Sequence, residues 1–281
     1  MSCCNQSPRM HPRSAVVQAL LFTLGHDNKS SPYFYADREG PPRRIHLDTY
    51  RVALTETSNR DFATFVDATN HVTDAEQYGW SFVLDTQLTP EADTASSQCA
   101  SDAPWWIKVS GASWRSPRGP GSMYDPDHPV VHVSWHDARA FCEWVGGRLP
   151  SEAEWEAAAS GGLDSTYTFP WGDNLLSDNE THRCNIWQGT WFDHNTAEDG
   201  FAHTAPVKSM IAQNDLGLYH MIGNVWEWTN DEWNGHNANH YTKKGGSFLC
   251  HMSSCYRYRT KARSSNEAKS STSNLGFRCV W

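Results

Sequence analysis

The sequence predicts a mixed α/β fold with little regular secondary structure, and three observations carry that reading. Fourteen tryptophans stand in 281 residues while the hydrophobic fraction is only 38%, so large aromatic anchors rather than long apolar elements must fill the core. Nineteen glycines and 14 prolines punctuate the chain and cut helices and strands into short pieces. Four Ser or Thr residues, Ser58, Thr73, Ser134 and Ser151, each precede an acid by three positions, the signature of a capped helix start. No linker-like stretch divides the chain, so residues 15–281 are expected to form one domain behind a flexible N-terminal segment, residues 1–14.

Ala15 to Gly25 reads as a β-strand, and Arg44 to Tyr50 alternates as a second. Ser58, with Asp61, caps a helix whose apolar stripe is Phe62, Phe65 and Val66 and which stops at Thr69-Asn70. Thr73-Asp74-Ala75-Glu76 opens a short helical turn. Leu84 to Gly121, rich in Ser, Pro and Gly around Pro104-Trp105-Trp106, reads as loop. Val130 to Val133 is a short strand leading into a helix capped by Ser134, which buries Ala138, Phe141, Cys142 and Val145 and ends at Gly146-Gly147. Ser151 opens the best-marked helix, alanine-rich and closed by Gly161-Gly162. Beyond it the chain reads as irregular until strands at Gly245 to Leu249 and Leu275 to Val280.

A net charge of -9 and a pI near 5.8 argue against nucleic acid as the main partner, since phosphate binding needs a basic surface. The longest apolar stretch, Ala15 to Leu24, is about half of the roughly 20 residues that span a bilayer, so no membrane span is expected. Eight cysteines are too few for a disulfide scaffold and enough for one or two bridges plus a functional pair. His128, His132 and His136 recur every four residues but straddle a proline, a strand and a helix cap; they share no helix face and read as structural rather than zinc-binding.

The most informative pair is Cys250 and Cys255, in Gly245-Gly246-Ser247-Phe248-Leu249-Cys250-His251-Met252-Ser253-Ser254-Cys255-Tyr256-Arg257. Its spacing matches neither a zinc knuckle nor a thioredoxin-like motif. On a flat strand, residues five apart face opposite ways. If the sulfurs converge, the backbone between them bends, and two convergent thiolates make a soft site suited to Cu(I). An ordinary disulfide or two free core thiols are the alternatives.

The blocks Arg148-Leu149-Pro150-Ser151-Glu152-Ala153-Glu154-Trp155-Glu156, Pro170-Trp171-Gly172, Asn185-Ile186-Trp187-Gln188-Gly189, Gly223-Asn224-Val225-Trp226-Glu227-Trp228, Gly245-Gly246-Ser247 and Asn274-Leu275-Gly276-Phe277-Arg278-Cys279 follow one another in a telling order. From about Phe22 to Cys279 the chain resembles formylglycine-generating enzymes, the sulfatase-modifying factors. The resemblance implies a single α/β domain with a C-type-lectin-like core. It also implies an oxidoreductase that uses dioxygen and an external thiol reductant to convert a cysteine, within Cys-x-Pro-x-Arg of a nascent or unfolded sulfatase, to Cα-formylglycine.

Residue by residue, the resemblance implies copper as Cu(I) on Cys250 and Cys255, with Ser247 and Trp226 beside them and Arg257, Ser271 and Asn274 along a peptide groove. It implies calcium on Asn185, Asp199 and the carbonyls of Ile186 and Phe201. A second calcium set would use the Gly223 and Val225 carbonyls and Glu227, with His220 where the family has asparagine, and Glu39 resembles a peripheral calcium ligand. Cys142 and Cys279 correspond to a family disulfide. That bridge, with acceptor sequences at Asn28-Lys29-Ser30 and Asn179-Glu180-Thr181, points to the endoplasmic reticulum lumen; a cytoplasmic microbial enzyme is the alternative. Ser254 departs from the tyrosine common in the family, which bears on substrate contacts. Two rivals stand beside the enzyme: an inactive sulfatase-binding paralogue, against which the retained cysteine pair counts, and a lectin-like binding module.

Overall fold

The computed structural model describes residues 12–95, 98–100, 103–176, 179–233 and 239–281. The expected flexible segment lies outside the described residues up to residue 11. Arg13 is already tied in, its carbonyl accepting from Leu54 N at 2.9 Å. The predicted first strand is two. β1 (Ser14–Val17) and β2 (Leu20–Leu24) are followed by β3 (Arg43–Leu47) and β4 (Tyr50–Ala53). β1 pairs with β4 and β2 with β3, both antiparallel. The break falls at Ala19, whose N–H goes to the Thr49 hydroxyl instead of a ladder.

The capped helices form where the sequence places them. α1 (Asn59–Thr69) starts at Ser58, whose hydroxyl accepts from Asp61 N, and stops at Asn70 in the left-handed region. α2 (Asp74–Tyr78) carries the Thr73–Glu76 capping box. Leu84 to Gly121, expected as loop, is instead partly ordered. β5 (Trp80–Leu84) is followed by α3 (Pro90–Ala95), β6 (Cys99–Ala100) and β7 (Ala103–Ser110), in a sheet ordered β5-β7-β6. Pro104 is compatible with this because it sits next to the end of β7, where pairing with β6 shifts register.

Val130 to Val133 is extended in sequence pattern only. His132 takes φ 59, and the segment bonds to Thr57 and Thr272 rather than to a strand. α4 (Trp135–Trp144) and α5 (Glu152–Ala159) both start with reciprocal capping boxes, and all eight residues of α5 are buried. After β8 (Gly189–Thr190) and β9 (His194–Asn195) comes a sheet of which only the last strand is expected from the sequence. It comprises β10 (Trp226–Glu232), β11 (His240–Lys244), β12 (Ser264–Glu267) and β13 (Leu275–Gly276), in the order β12-β11-β10-β13. The strand expected at Gly245 to Leu249 is a turn, because Gly245 and Gly246 have φ 91 and 73. The one expected from Leu275 to Val280 shortens to β13 and isolated bridges from Val280 to Val52 and Arg148.

Among the described residues no helix exceeds 11 residues and no strand exceeds eight. Aromatic side chains fill the core as expected: Phe62 packs against Trp114, Phe141 and Phe277 with ring centroids 5.3 to 6.4 Å apart. The expected disulfide is present. Cys142 on α4 joins Cys279 after β13, with Cα atoms 5.5 Å apart. No helix is long and apolar enough to cross a membrane among the described residues.

Candidate active site

β11 delivers the chain to Gly245 and Gly246, where a side chain is excluded. A Cβ at Gly245 would lie 2.7 Å from the Met221 carbonyl, and one at Gly246 3.0 Å from Tyr258. The reversal sends Ser247 to Cys250 inward, with Phe248 N bonded to Asn224 O and Cys250 N to Ser247 O, each at 2.9 Å. The chain then turns back on itself, Cys255 N donating to His251 O at 2.7 Å. This is the bend that convergent sulfurs require, and both thiols face the same cleft without forming a disulfide.

Burial, and then the hydrogen bond with Cys255, push the Cys250 thiol well above its ordinary range. Hydrogen bonding from Cys250 brings Cys255 down to about 7 against its burial, with help from the charges of Arg257 and Lys243. The pair therefore loses its first proton at Cys255, near neutral pH. Deprotonated, it presents two soft donors to one side, which fits a monovalent soft ion such as Cu(I).

Both sulfurs line a cleft of about 540 Å³. Trp226, Ser247, Asn274 and Arg257 line it too, and Trp105, Trp106, Trp191 and Leu249 form an apolar wall. Asn274 is fixed from both ends: its Nδ2 donates to the Ser247 hydroxyl at 2.9 Å and its Oδ1 accepts from Thr272 at 2.8 Å. Arg257 is not a solvated surface cation. It makes two bonds to Asp37, and its guanidinium lies 3.8 Å over the Tyr33 ring, while the Tyr33 hydroxyl donates to Ser254 O at 2.8 Å. The Ser254 hydroxyl itself is buried without a partner at the cleft.

Ser271 is turned away from the cleft. Its hydroxyl meets that of Ser81 at 2.7 Å, and Ser81 in turn contacts His132. Its neighbours Ser270 and Thr272 face the cleft instead, as alternation along an extended segment dictates. Sequence reasoning missed Lys243, which lines the cleft with its ammonium 4.6 Å from the Trp226 ring centroid; burial lowers it to about 8. It missed the Tyr33–Asp37 clamp as well. Neither had a signal, because β11 shows no apolar alternation and the clamp lies 220 residues from Arg257.

The first cation set fits its chemistry. Asp199 accepts from Ile186 N, Gln188 Nε2 and Phe201 N, and burial raises its carboxyl. Asn185 spends its amide hydrogens on His203 O and Asn224 Oδ1, leaving Asn185 Oδ1 buried without a donor, as is Gln188 Oε1. Orphaned oxygens beside a carboxylate are what a hard cation satisfies. No three His, Cys, Asp or Glu side chains converge among the described residues, so amide and carbonyl oxygens would carry much of the coordination.

The second set does not fit as assigned. Unlike Asp199, whose donors are all neutral, Glu227 is already neutralised by a buried cation: Arg278 Nη2 bonds one oxygen, and Arg278 Nε and Trp155 Nε1 the other, each at 2.7 Å. Gly223 and Val225 lie in the buried turn before it, and His220, lowered to about 4 by burial, is neutral. The open oxygen belongs to Glu56, which the sequence reading missed. Glu56 Oε2 has no partner, and burial and then the Glu227 charge push this carboxyl well up. Glu39 is also reassigned. It is 2% exposed and saturated by Arg259, His26 and Ser31. Those donors hold it at about 2 despite burial. It anchors the segment after Cys255 and offers no oxygen to a cation.

The sulfatase-modifying factor enzyme 1-like domain matches residues 2–281. The chain belongs to this family. Among sulfatase-modifying factor relatives, the formylglycine-generating enzyme of Thermomonospora curvata is 47% identical over 97% of this chain and 96% of its own length. That of Bos taurus is 46% identical over 94% of this chain and 73% of its own length. The inactive C-alpha-formylglycine-generating enzyme 2 of Bos taurus is 39% identical, over 92% and 84%. The solved structure of PvdO from Pseudomonas aeruginosa covers 96% of this chain and 94% of its own with a TM-score of 0.66 at 20% identity, a likeness of fold alone. The mixed α/β architecture with sparse regular structure is thus that of the family.

Proposed function

We propose that this chain is a formylglycine-generating enzyme, oxidising the cysteine of a Cys-x-Pro-x-Arg segment in sulfatase polypeptides to Cα-formylglycine. The observation that carries this reading is the unbridged pair of Cys250 and Cys255 in one cleft, in a chain 46% and 47% identical to enzymes of that name. The overall change balances with a thiol reductant. The substrate CH₂–SH, dioxygen and two external thiols give an aldehyde, hydrogen sulfide, a disulfide and water.

Cys250 and Cys255 would hold Cu(I), which supplies the redox chemistry that brings dioxygen to react beside the substrate carbon. The chain's own residues do the rest. The aromatic wall takes apolar side chains of an extended peptide and expels water. Asn274 and Ser247, locked by their mutual hydrogen bond, present fixed polar groups beside Cys250. Asp37 and Tyr33 hold Arg257 where its charge favours the Cys255 thiolate. Asn185 and Asp199 would hold calcium and so brace the neighbouring backbone, where Trp187 N donates to Cys250 O at 3.1 Å.

The inactive relative supports a second, binding-only reading at lower identity, and the presence of both thiols favours the enzyme. Mass spectrometry of a Cys-x-Pro-x-Arg peptide incubated with the protein, copper, a thiol reductant and oxygen decides between them. Conversion to the aldehyde is expected, and an unchanged peptide that is nonetheless bound would overturn the enzymatic reading.

A further inference from the structure

Lys243 and Lys244 are consecutive on β11 and face opposite ways. Lys244 meets Glu156 at 2.6 Å and Glu152 at 3.6 Å. Lys243 reaches the cleft, where no carboxylate pairs with it among the described residues. Its ammonium is pinned on the Trp226 ring, 4.6 Å from the centroid. Among the described residues, Lys243 and Arg257 are the charged side chains lining the cleft, apart from the cysteines, and Arg257 is already neutralised by Asp37. Lys243 is therefore the cation set against the sulfur pair itself, beside a largely aromatic wall. Its charge is met by those sulfurs rather than by a carboxylate, so it counters whatever negative charge gathers at them.

We propose that Lys243 is a further substrate-binding residue, whose ammonium favours the substrate cysteine as its thiolate in the cleft. The proposal rests on the function proposed above and deepens it. Two protein thiolates around one monovalent ion leave a net negative charge, and an incoming thiolate adds a second. Lys243 offsets that repulsion at the point where it arises. A merely structural lysine would support all peptides alike, whereas a counter-cation discriminates a thiolate from a neutral hydroxyl of nearly the same shape.

The test uses the copper-loaded protein without oxygen and measures fluorescence-anisotropy binding of a Cys-x-Pro-x-Arg peptide and its serine counterpart. Lys243→Met keeps the aliphatic packing on Trp226 and removes the charge; Lys243→Arg keeps the charge. The charge loss is expected to weaken the cysteine peptide about tenfold and leave the serine peptide unchanged, with Lys243→Arg near the parent value. Equal loss for both peptides, an unchanged cysteine peptide, or no preference for cysteine in the parent protein would overturn the proposal. Lys243→Gln replaces Lys243→Met if the latter fails to fold, as judged by near-ultraviolet circular dichroism. Competition with a chromogenic chelator checks that Cu(I) loading is equal across variants. If the parent protein never converts the peptide in oxygen, the functional reading fails; if it converts the peptide and the variants show no thiol selectivity, only the role of Lys243 fails.

Discussion

The two faces of β11 carry opposite treatments of buried charge. On one face Lys244, Lys261 and Arg263 meet Glu152 and Glu156 from α5 at 2.6 to 3.6 Å, so each charge has a counter-charge. On the other face Lys243 and the thiol pair face a cleft to which no carboxylate contributes among the described residues. The paired face locks α5 to the sheet; the unpaired face is where a ligand completes the electrostatics. The same distinction separates Glu39 and Glu227, whose oxygens are saturated, from Asn185, Gln188 and Glu56, which keep an open oxygen.

The comparison breaks most visibly at the sulfurs. Cys250→Ser and Cys255→Ser are each expected to lower peptide conversion at least about a thousandfold, roughly 4 kcal/mol in barrier, with little change in thermal midpoint. Full turnover in either variant would end the role assigned to the pair. On the paired face the effect reverses. Glu156→Ala strands Lys244 and Lys261 and is expected to cost about 3 to 5 kcal/mol in urea unfolding, whereas Lys243→Met leaves the urea midpoint nearly unchanged.

Acid sharpens the contrast next. His132 is fully buried, donates from Nε2 to Pro117 O at 2.8 Å, and is lowered to about 4 by burial. Its native value lies below its unfolded one, so the native state binds fewer protons between them. The stability this contributes is complete above about pH 6.5 and lost as pH falls toward 4, on the order of 3 kcal/mol. Urea unfolding at several pH values should show this slope, and His132→Gln should flatten it. The smallest effect belongs to Tyr33→Phe, which removes one hydrogen bond to Ser254 O. About 1 kcal/mol of stability and a fewfold rise in KM are expected, read by unfolding and steady-state kinetics.

What could be read in advance divides along physical lines. Helices α1, α2, α4 and α5 were legible because a cap is local: Ser or Thr and an acid three residues on satisfy the same few N–H groups wherever they stand. β11 and β12, His-Tyr-Thr-Lys-Lys and Ser-Ser-Asn-Glu, were not, because their strand character comes from partners and from charges buried against distant helices. The site divides similarly. Cys250, Cys255, Ser247 and Asn274 stand in recognisable blocks and meet in one cleft. Ser271 required the direction of one side chain, and Glu39 and Glu227 required Arg259 and Arg278, which lie 220 and 51 residues away.

By itself the amino-acid sequence determined the family, the caps, the disulfide partners and the thiol pair, all set by residue identity at short spacing or in matching blocks. Only the tertiary structure decided which oxygens are free, which charges lack partners and which way consecutive lysines point. Those properties depend on neighbours brought together through space, and no local pattern of residues encodes them.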